Sequence, residues 1–237
     1  MSYFKLDNVS SETYDVILTG SGTYAAPQRS FEAVSVPGRD GDLLFDNGRY
    51  ENVIIQYEAG IVGKDKLDQF RAWLLSHTSY CRLEDSYHPD EYRMAMPING
   101  LAPSMEVMLK IGRFPISFNC KPQRFLKTGE TATTMTSSGT IKNETLFVAK
   151  PLIRVYGYGT LRVGGSAGTT TVTIAQHSLS YIDLDCDTED SFRGSTNANS
   201  YITLSGDHYP RLYPGNNSIT MSGQITSVAI TPRWWTL

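Results

Sequence analysis

From Leu152 to Ile230 the chain is a series of short apolar runs, broken by Gly, Asn or Pro about every 8–12 residues, and no stretch in it holds helical spacing. Runs that short cannot bury a helical stripe. They can bury alternate residues of strands, so this part of the chain is predicted to be a small β sandwich. The expected strands are Leu152–Tyr156, Leu161–Val163, Thr169–Ile174, Tyr181–Asp185, Tyr201–Leu204, Ser218–Met221 and Ile225–Ile230.

The first half is also mostly β. Tyr14–Leu18 is a short apolar run, and Phe31–Val36 alternates with the period of a half-buried strand. Tyr50–Val62 puts Val53, Ile55 and Tyr57 on one face. Further strands are expected at Tyr80–Glu84, Tyr92–Met96, Met105–Ile111 and Phe114–Cys120, with a hairpin tip near 85–90. One helix interrupts them. Lys64–Ser76 sets Leu67, Phe70 and Leu74 on a single stripe that Trp73 widens, and His77 sits near its end, where the helix dipole favours a cation. With 237 residues there is room for two domains of ordinary size, and a Thr-, Ser- and Gly-rich change of composition sets the linker or the entry to the second domain at about 121–130.

Between the strands of the first half lies Pro37-Gly38-Arg39-Asp40-Gly41-Asp42, then Leu43-Leu44-Phe45, then Asp46-Asn47-Gly48. Such turn-rich flanks predict a protruding loop or hairpin arm, with Asn47-Gly48 as its tight turn. The apolar triplet needs burial, either against its own domain or against a neighbouring subunit.

Composition narrows the function classes. A net charge of −3 gives no support to coating nucleic acid. Charged residues are only 19% of the chain, and 14 Tyr lead its aromatics, which suits protein contact as well as β structure. Cys81, Cys120 and Cys186 are odd in number and form no CxxC pair, so reduced thiols are expected. The start, Met1 to Leu6, lacks the layout of a secretory signal, and no run approaches a membrane span.

Catalytic motifs are weak. Gly164-Gly165-Ser166-Ala167-Gly168 lacks the order of a nucleophile elbow. Asp183, Asp185 and Asp187 begin a calcium-loop pattern that fails at Thr188 and Gly194, so these acids are expected on a solvated strand face. His88, His177 and His208 have no His or Cys at zinc spacing, and Glu84 and Asp85 are adjacent, hence on opposite faces of a strand. No catalytic residue, cofactor or metal is predicted. Trp234 and Trp235 are expected to close a core. An exposed platform of Tyr156, Tyr158 or Tyr201 would instead indicate sugar binding.

Several stretches together resemble one family. Val36-Pro37-Gly38-Arg39-Asp40-Gly41 with Gly48-Arg49-Tyr50, Tyr80 to Arg93 after the helix, Phe118-Asn119-Cys120-Lys121-Pro122, and Leu212 to Ile219 leading to Ile230-Thr231-Pro232-Arg233-Trp234-Trp235 look like the siphophage distal tail proteins of the phage tail component family. The resemblance covers essentially the whole chain. It implies a mainly β fold: a tail-tube-like β sandwich with one α-helix and a long β-hairpin over 1–125, then a galectin-like β sandwich over 126–237. It further implies a non-enzymatic virion protein of the phage tail, made in the host bacterial cytoplasm. Six copies would close into a ring between the tail tube and the tip or baseplate hub, with DNA passing only as cargo and receptor-binding proteins as further partners. Gly38, Arg39, Leu43, Leu44, Phe45 and Tyr50 are the expected ring-interface residues. The chain has no room for the large carbohydrate-binding insertions of some relatives, and attachment to host sugars is the alternative function.

Overall fold

The structure, a computed structural model, describes residues 2–20, 25–61, 66–98, 100 and 112–237. The expected strand Met105–Ile111 and the first helical residues, Lys64 and Asp65, lie outside these. The chain divides into two compact units. The first comprises Met1–Arg124 with Leu237, and the second Phe125–Thr236.

In the first unit the strands are β1 (Phe4–Leu6), β2 (Val9–Ser10), β3 (Val16–Leu18), β4 (Arg29–Val34), β5 (Leu43–Tyr50), β6 (Val53–Ile61), β7 (Cys81–Asp85), β8 (Glu91–Pro97) and β9 (Gly112–Cys120), with helix α1 over Leu67–Leu75. The main sheet runs β2-β1-β7-β8-β9-β6-β3, while β4 and β5 form a separate two-stranded ribbon. The longest pairing joins β6 to β9 antiparallel, from Val53 opposite Cys120 to Ile61 opposite Gly112. Strict alternation along β6 buries Val53, Ile55, Tyr57 and Ala59 on one face, as its sequence pattern requires.

The helix forms for the predicted reason. Leu67, Phe70 and Leu74 are buried and pack with the inner face of the sheet. Phe4 stands among four rings there, with centroids 6.2 Å from Tyr57, 6.4 Å from Phe70, 6.1 Å from Trp73 and 5.4 Å from Phe118. The helix stops where Ser76 Oγ donates to the Trp73 carbonyl at 2.7 Å and the His77 ring bonds the same oxygen at 2.8 Å. At the tip between β7 and β8, Asp85 accepts from the Tyr57 hydroxyl at 2.5 Å and from the backbone N–H groups of Tyr87 and His88, both at 2.8 Å.

The second unit opens with short strand β10 (Arg124–Leu126) and a 3-10 helix at Lys127–Glu130. The predicted linker thus carries structure. The remaining strands are β11 (Thr133–Met135), β12 (Gly139–Asn143), β13 (Leu152–Tyr156), β14 (Gly159–Gly165), β15 (Gly168–Ile174), β16 (Ile182–Asp185), β17 (Asp190–Arg193), β18 (Thr196–Asn197), β19 (Ile202–Ser205), β20 (Gly215–Gly223), β21 (Ser227–Thr231) and β22 (Trp235–Thr236). Strands β11 to β21 form two sheets, β11-β21-β13-β16-β17-β18 and β12-β20-β14-β15-β19, while β22 pairs with β10. Ile153, Val155, Leu161, Val163, Val172, Ile182, Leu184, Ile219, Val228 and Ile230 are all buried in one core. Trp234 and Trp235 pack against it as expected. Trp235 stacks on Phe147 at 4.5 Å and donates to the Val148 carbonyl at 2.9 Å.

The acidic run is a solvated face only in part: Asp187 and Glu189 are exposed, while Asp185 is half-buried. Asp183 is buried, and Arg154 grips it at 2.7 and 2.9 Å while lying over the Tyr181 ring at 4.0 Å. Arg233 grips Asp185 at 2.6 and 2.9 Å, and Lys150 meets Asp187 at 3.1 Å. Asp183 and Asp185 each have an arginine from a distant strand or loop, which accounts for carboxylates in so closed a place.

Asp185 gives a pH dependence. Burial pushes its carboxyl up, but the bonds from Arg233 and the backbone N–H of Asp187 outweigh this, and it titrates below its ordinary value of 3.8. The unfolded chain therefore takes the proton first. The stability that the pair contributes is present above that value and is lost as pH falls through the lower folded one. The denaturant midpoint of the second unit should drop as pH falls below about 4. Arg233→Gln should cost about 1–3 kcal/mol at neutral pH and flatten the acid dependence. A midpoint unchanged by both acid and the substitution would remove the pair from the stability of this unit.

The three cysteines are free and buried. Burial pushes the Cys81 thiol up to about 11 and the Cys120 thiol up to about 12, and raises that of Cys186.

Candidate functional site

The two-stranded ribbon is built by local rules. Pro37 and Gly38 turn the chain at its tip, where the Arg39 N–H donates to the Val36 carbonyl at 3.2 Å. Gly38 has a φ of 81°, the value a type II turn demands of its third residue, and Pro fits the second. The tip, not Asn47-Gly48, reverses the ribbon. Asn47 and Gly48 instead sit inside β5, where the register jumps from Arg29 opposite Tyr50 to Phe31 opposite Asp46. They form a bulge, and Gly48, with a φ of 68°, supplies its left-handed residue.

A polar clamp holds the ribbon at this bulge. Arg29 donates through Nε to Asp46 at 2.9 Å, through Nη2 to the same carboxylate, and through Nη1 to the Tyr50 hydroxyl at 3.1 Å. Asp46 also accepts from the Gly48 N–H at 2.9 Å. The side-chain bond from Arg29, then that N–H, hold the Asp46 carboxyl below its ordinary value.

Beyond the clamp both faces are apolar and open. Opposed residues share a face, so Phe31, Ala33 and Leu44 lie on one and Val34, Leu43 and Phe45 on the other. Leu44 is 65% exposed, Phe45 55%, Phe31 50% and Val34 38%. The sequence pattern of Phe31–Val36 suggested a half-buried strand, but in β4 only Ser30 is buried. Its period was right, yet no second layer covers it within the ribbon's own two-stranded sheet.

All six predicted interface residues fall on this one element. Gly38 and Arg39 are at the tip, Leu43, Leu44 and Phe45 on β5, and Tyr50 is in the clamp. Sequence reading missed Phe31 and Val34 as exposed partners, and it missed Arg29 and Asp46. The alternation over Phe31–Val36, read together with a turn at Pro37-Gly38, could have found the first pair.

The residues weighed for chemistry are placed otherwise. Ser166 and Ala167 link β14 to β15. Glu84 bonds Arg82 at 2.6 Å, while Asp85 is engaged at its hairpin tip. Tyr158 and Tyr201 pack on the core of the second unit, and Tyr156 leans on Tyr181 at 6.0 Å. None of the three presents the exposed ring that a sugar platform needs.

Two layers of short strands, a larger antiparallel sheet with one helix and a separate ribbon make up a fold also found in phage tail hubs. The solved Dit protein of phage SPP1, described as a paradigm of the hub adsorption apparatus in Gram-positive infecting phages, matches the whole chain over its own whole length, with a TM-score of 0.73 and 13% identity. A chain of the phage p2 baseplate, in its activated conformation with Sr, matches with a TM-score of 0.50 and 11% identity over 97% of both chains. No protein-family model and no curated protein matches this sequence. At such identities the likeness is one of fold.

Proposed function

We propose that this chain is a structural, non-enzymatic subunit at the distal end of a long non-contractile phage tail. Copies of it close into a ring, six by the resemblance, that joins the tail tube to the tip or baseplate hub. The observation that carries this reading is the ribbon, apolar on both faces and, among the described residues, unpaired along both edges. The full-length likeness in fold to a phage hub protein supports it.

The physics is that of a head-to-tail contact. The ribbon is one patch, and a different surface of the next copy receives it, so repetition closes a ring. Its open edges offer backbone groups for strand addition. Its apolar faces offer area at about 25 cal/mol per Å², before the cost of association. A two-stranded ribbon gains little from folding alone, which makes a neighbour the source of its order. In this reading receptor-binding proteins are further partners, and DNA crosses the ring only as cargo.

Light scattering on the purified chain tests it. A mass of several subunits is expected, either alone or after tube and hub proteins are added. A monomer under both conditions would overturn the reading.

A further inference from the structure

Three donor groups meet in the first unit, away from the ribbon. Asp7 opens the turn between β1 and β2, where Asp7 and Asn8 both have positive φ, 45° and 71°. His77 lies just past the end of α1. Cys81 opens β7 and is buried. One ligand atom of each lies within 4.8 Å of those of the other two.

The groups around them prepare these atoms. His77 Nδ1 is 2.8 Å from the Trp73 carbonyl, which can only accept. The neutral ring therefore carries its proton on Nδ1 and its lone pair on Nε2. A backbone carbonyl in that place is the usual support for a metal-bound imidazole. The Asp7 Oδ1 accepts the Arg82 N–H at 2.9 Å, which orients the carboxylate and leaves Oδ2 as a second donor. Cys81 Sγ donates to the Ala95 carbonyl at 3.2 Å, so the sulfur is fixed in position.

We propose that Asp7, His77 and Cys81 form a binding site for a borderline transition-metal cation, Zn²⁺ by preference. Carboxylate, imidazole and thiolate are the donors this ion takes, with water at the fourth tetrahedral position. Bonds of 2.0–2.3 Å place tetrahedral donors about 3.5 Å apart, so binding needs a closure of no more than an ångström or so. Asp7, on an exposed two-residue turn, can supply it. On binding, the Cys81 S–H bond breaks, its proton leaves to solvent and a metal–sulfur bond forms. The ion would tie the first hairpin to the end of the helix and the start of β7.

Co²⁺ is the probe, titrated into the metal-free full-length chain. One equivalent should give a near-ultraviolet thiolate-to-metal charge-transfer band that Zn²⁺ displaces. Cys81→Ser should abolish the band. Asp7→Asn keeps a residue tolerant of positive φ and an acceptor for the Arg82 N–H, and His77→Gln keeps a donor for the Trp73 carbonyl. Each should weaken Co²⁺ binding about tenfold or more. Circular dichroism of the metal-free variants checks their fold, and Asp7→Asn and His77→Gln decide the matter should Cys81→Ser not fold. No band at saturating Co²⁺, a band that survives Cys81→Ser, or binding indifferent to both Asp7→Asn and His77→Gln would overturn the site.

Discussion

Leu44→Asp is expected to leave a folded monomer that cannot assemble. Leu44 is 65% exposed on the ribbon, so in the isolated chain the change should move stability by no more than about 0.5 kcal/mol. In a ring the same position is covered. A carboxylate forced under a neighbour without a partner costs several kcal/mol, and the apolar area of Leu44 is lost besides. The two effects fall on different measurements, which makes the substitution informative. Circular dichroism and denaturant midpoint should match the parent chain, while the mass by light scattering falls to that of one subunit. Phe45→Asp, on the opposite face, separates the arrangements further. If both faces are covered, both variants are monomeric. If one is covered, only one of them is. Assembly unchanged in both would remove the ribbon from the interface.

Phe4→Ala should destabilise the first unit by about 3–5 kcal/mol. Phe4 is fully buried, and its ring meets Tyr57, Phe70, Trp73 and Phe118, which come from the sheet and from the helix. Deleting it removes the shared contact of those four rings and leaves a cavity that a sheet and a helix pinned by their own bonds close only in part. Denaturant unfolding followed by tryptophan fluorescence reads the loss, since Trp73 lies in the same cluster. A cost below about 1 kcal/mol would show that the helix and sheet repack without it. A smaller loss is expected for Tyr14→Ala at the edge of the cluster, where the ring is only partly buried.

Elements specified by their own periodicity were legible in the sequence. The stripe Leu67, Phe70 and Leu74 gave α1, alternation gave β6, and Leu152–Tyr156 was found with its observed ends. What depended on distant partners was not. Asn47-Gly48 announces a left-handed backbone, and Gly48 has one, but a bulge asks for it as much as a turn does. Only the strand opposite decides between them. Likewise Asp183 and Asp185 read as surface acids because Arg154 and Arg233 lie 29 and 48 residues away. The metal-ligand trio was hidden for the same reason, Asp7 being far in sequence from His77 and Cys81. In the ribbon, residue types revealed an arm and its apolar triplet, whereas the clamp of Arg29 on Asp46 needed the paired strands to be seen.

The bulge at Asn47 and Gly48 bears on how the ribbon behaves at high concentration. A flat, oily hairpin with both rims bare would stack on any other of its kind and grow into fibrils. Extra residues on one side coil the ribbon and keep its rims from lying straight, so indiscriminate stacking is starved of register. Only a groove already curved to match can accept it, and in the proposed ring that groove belongs to the next copy.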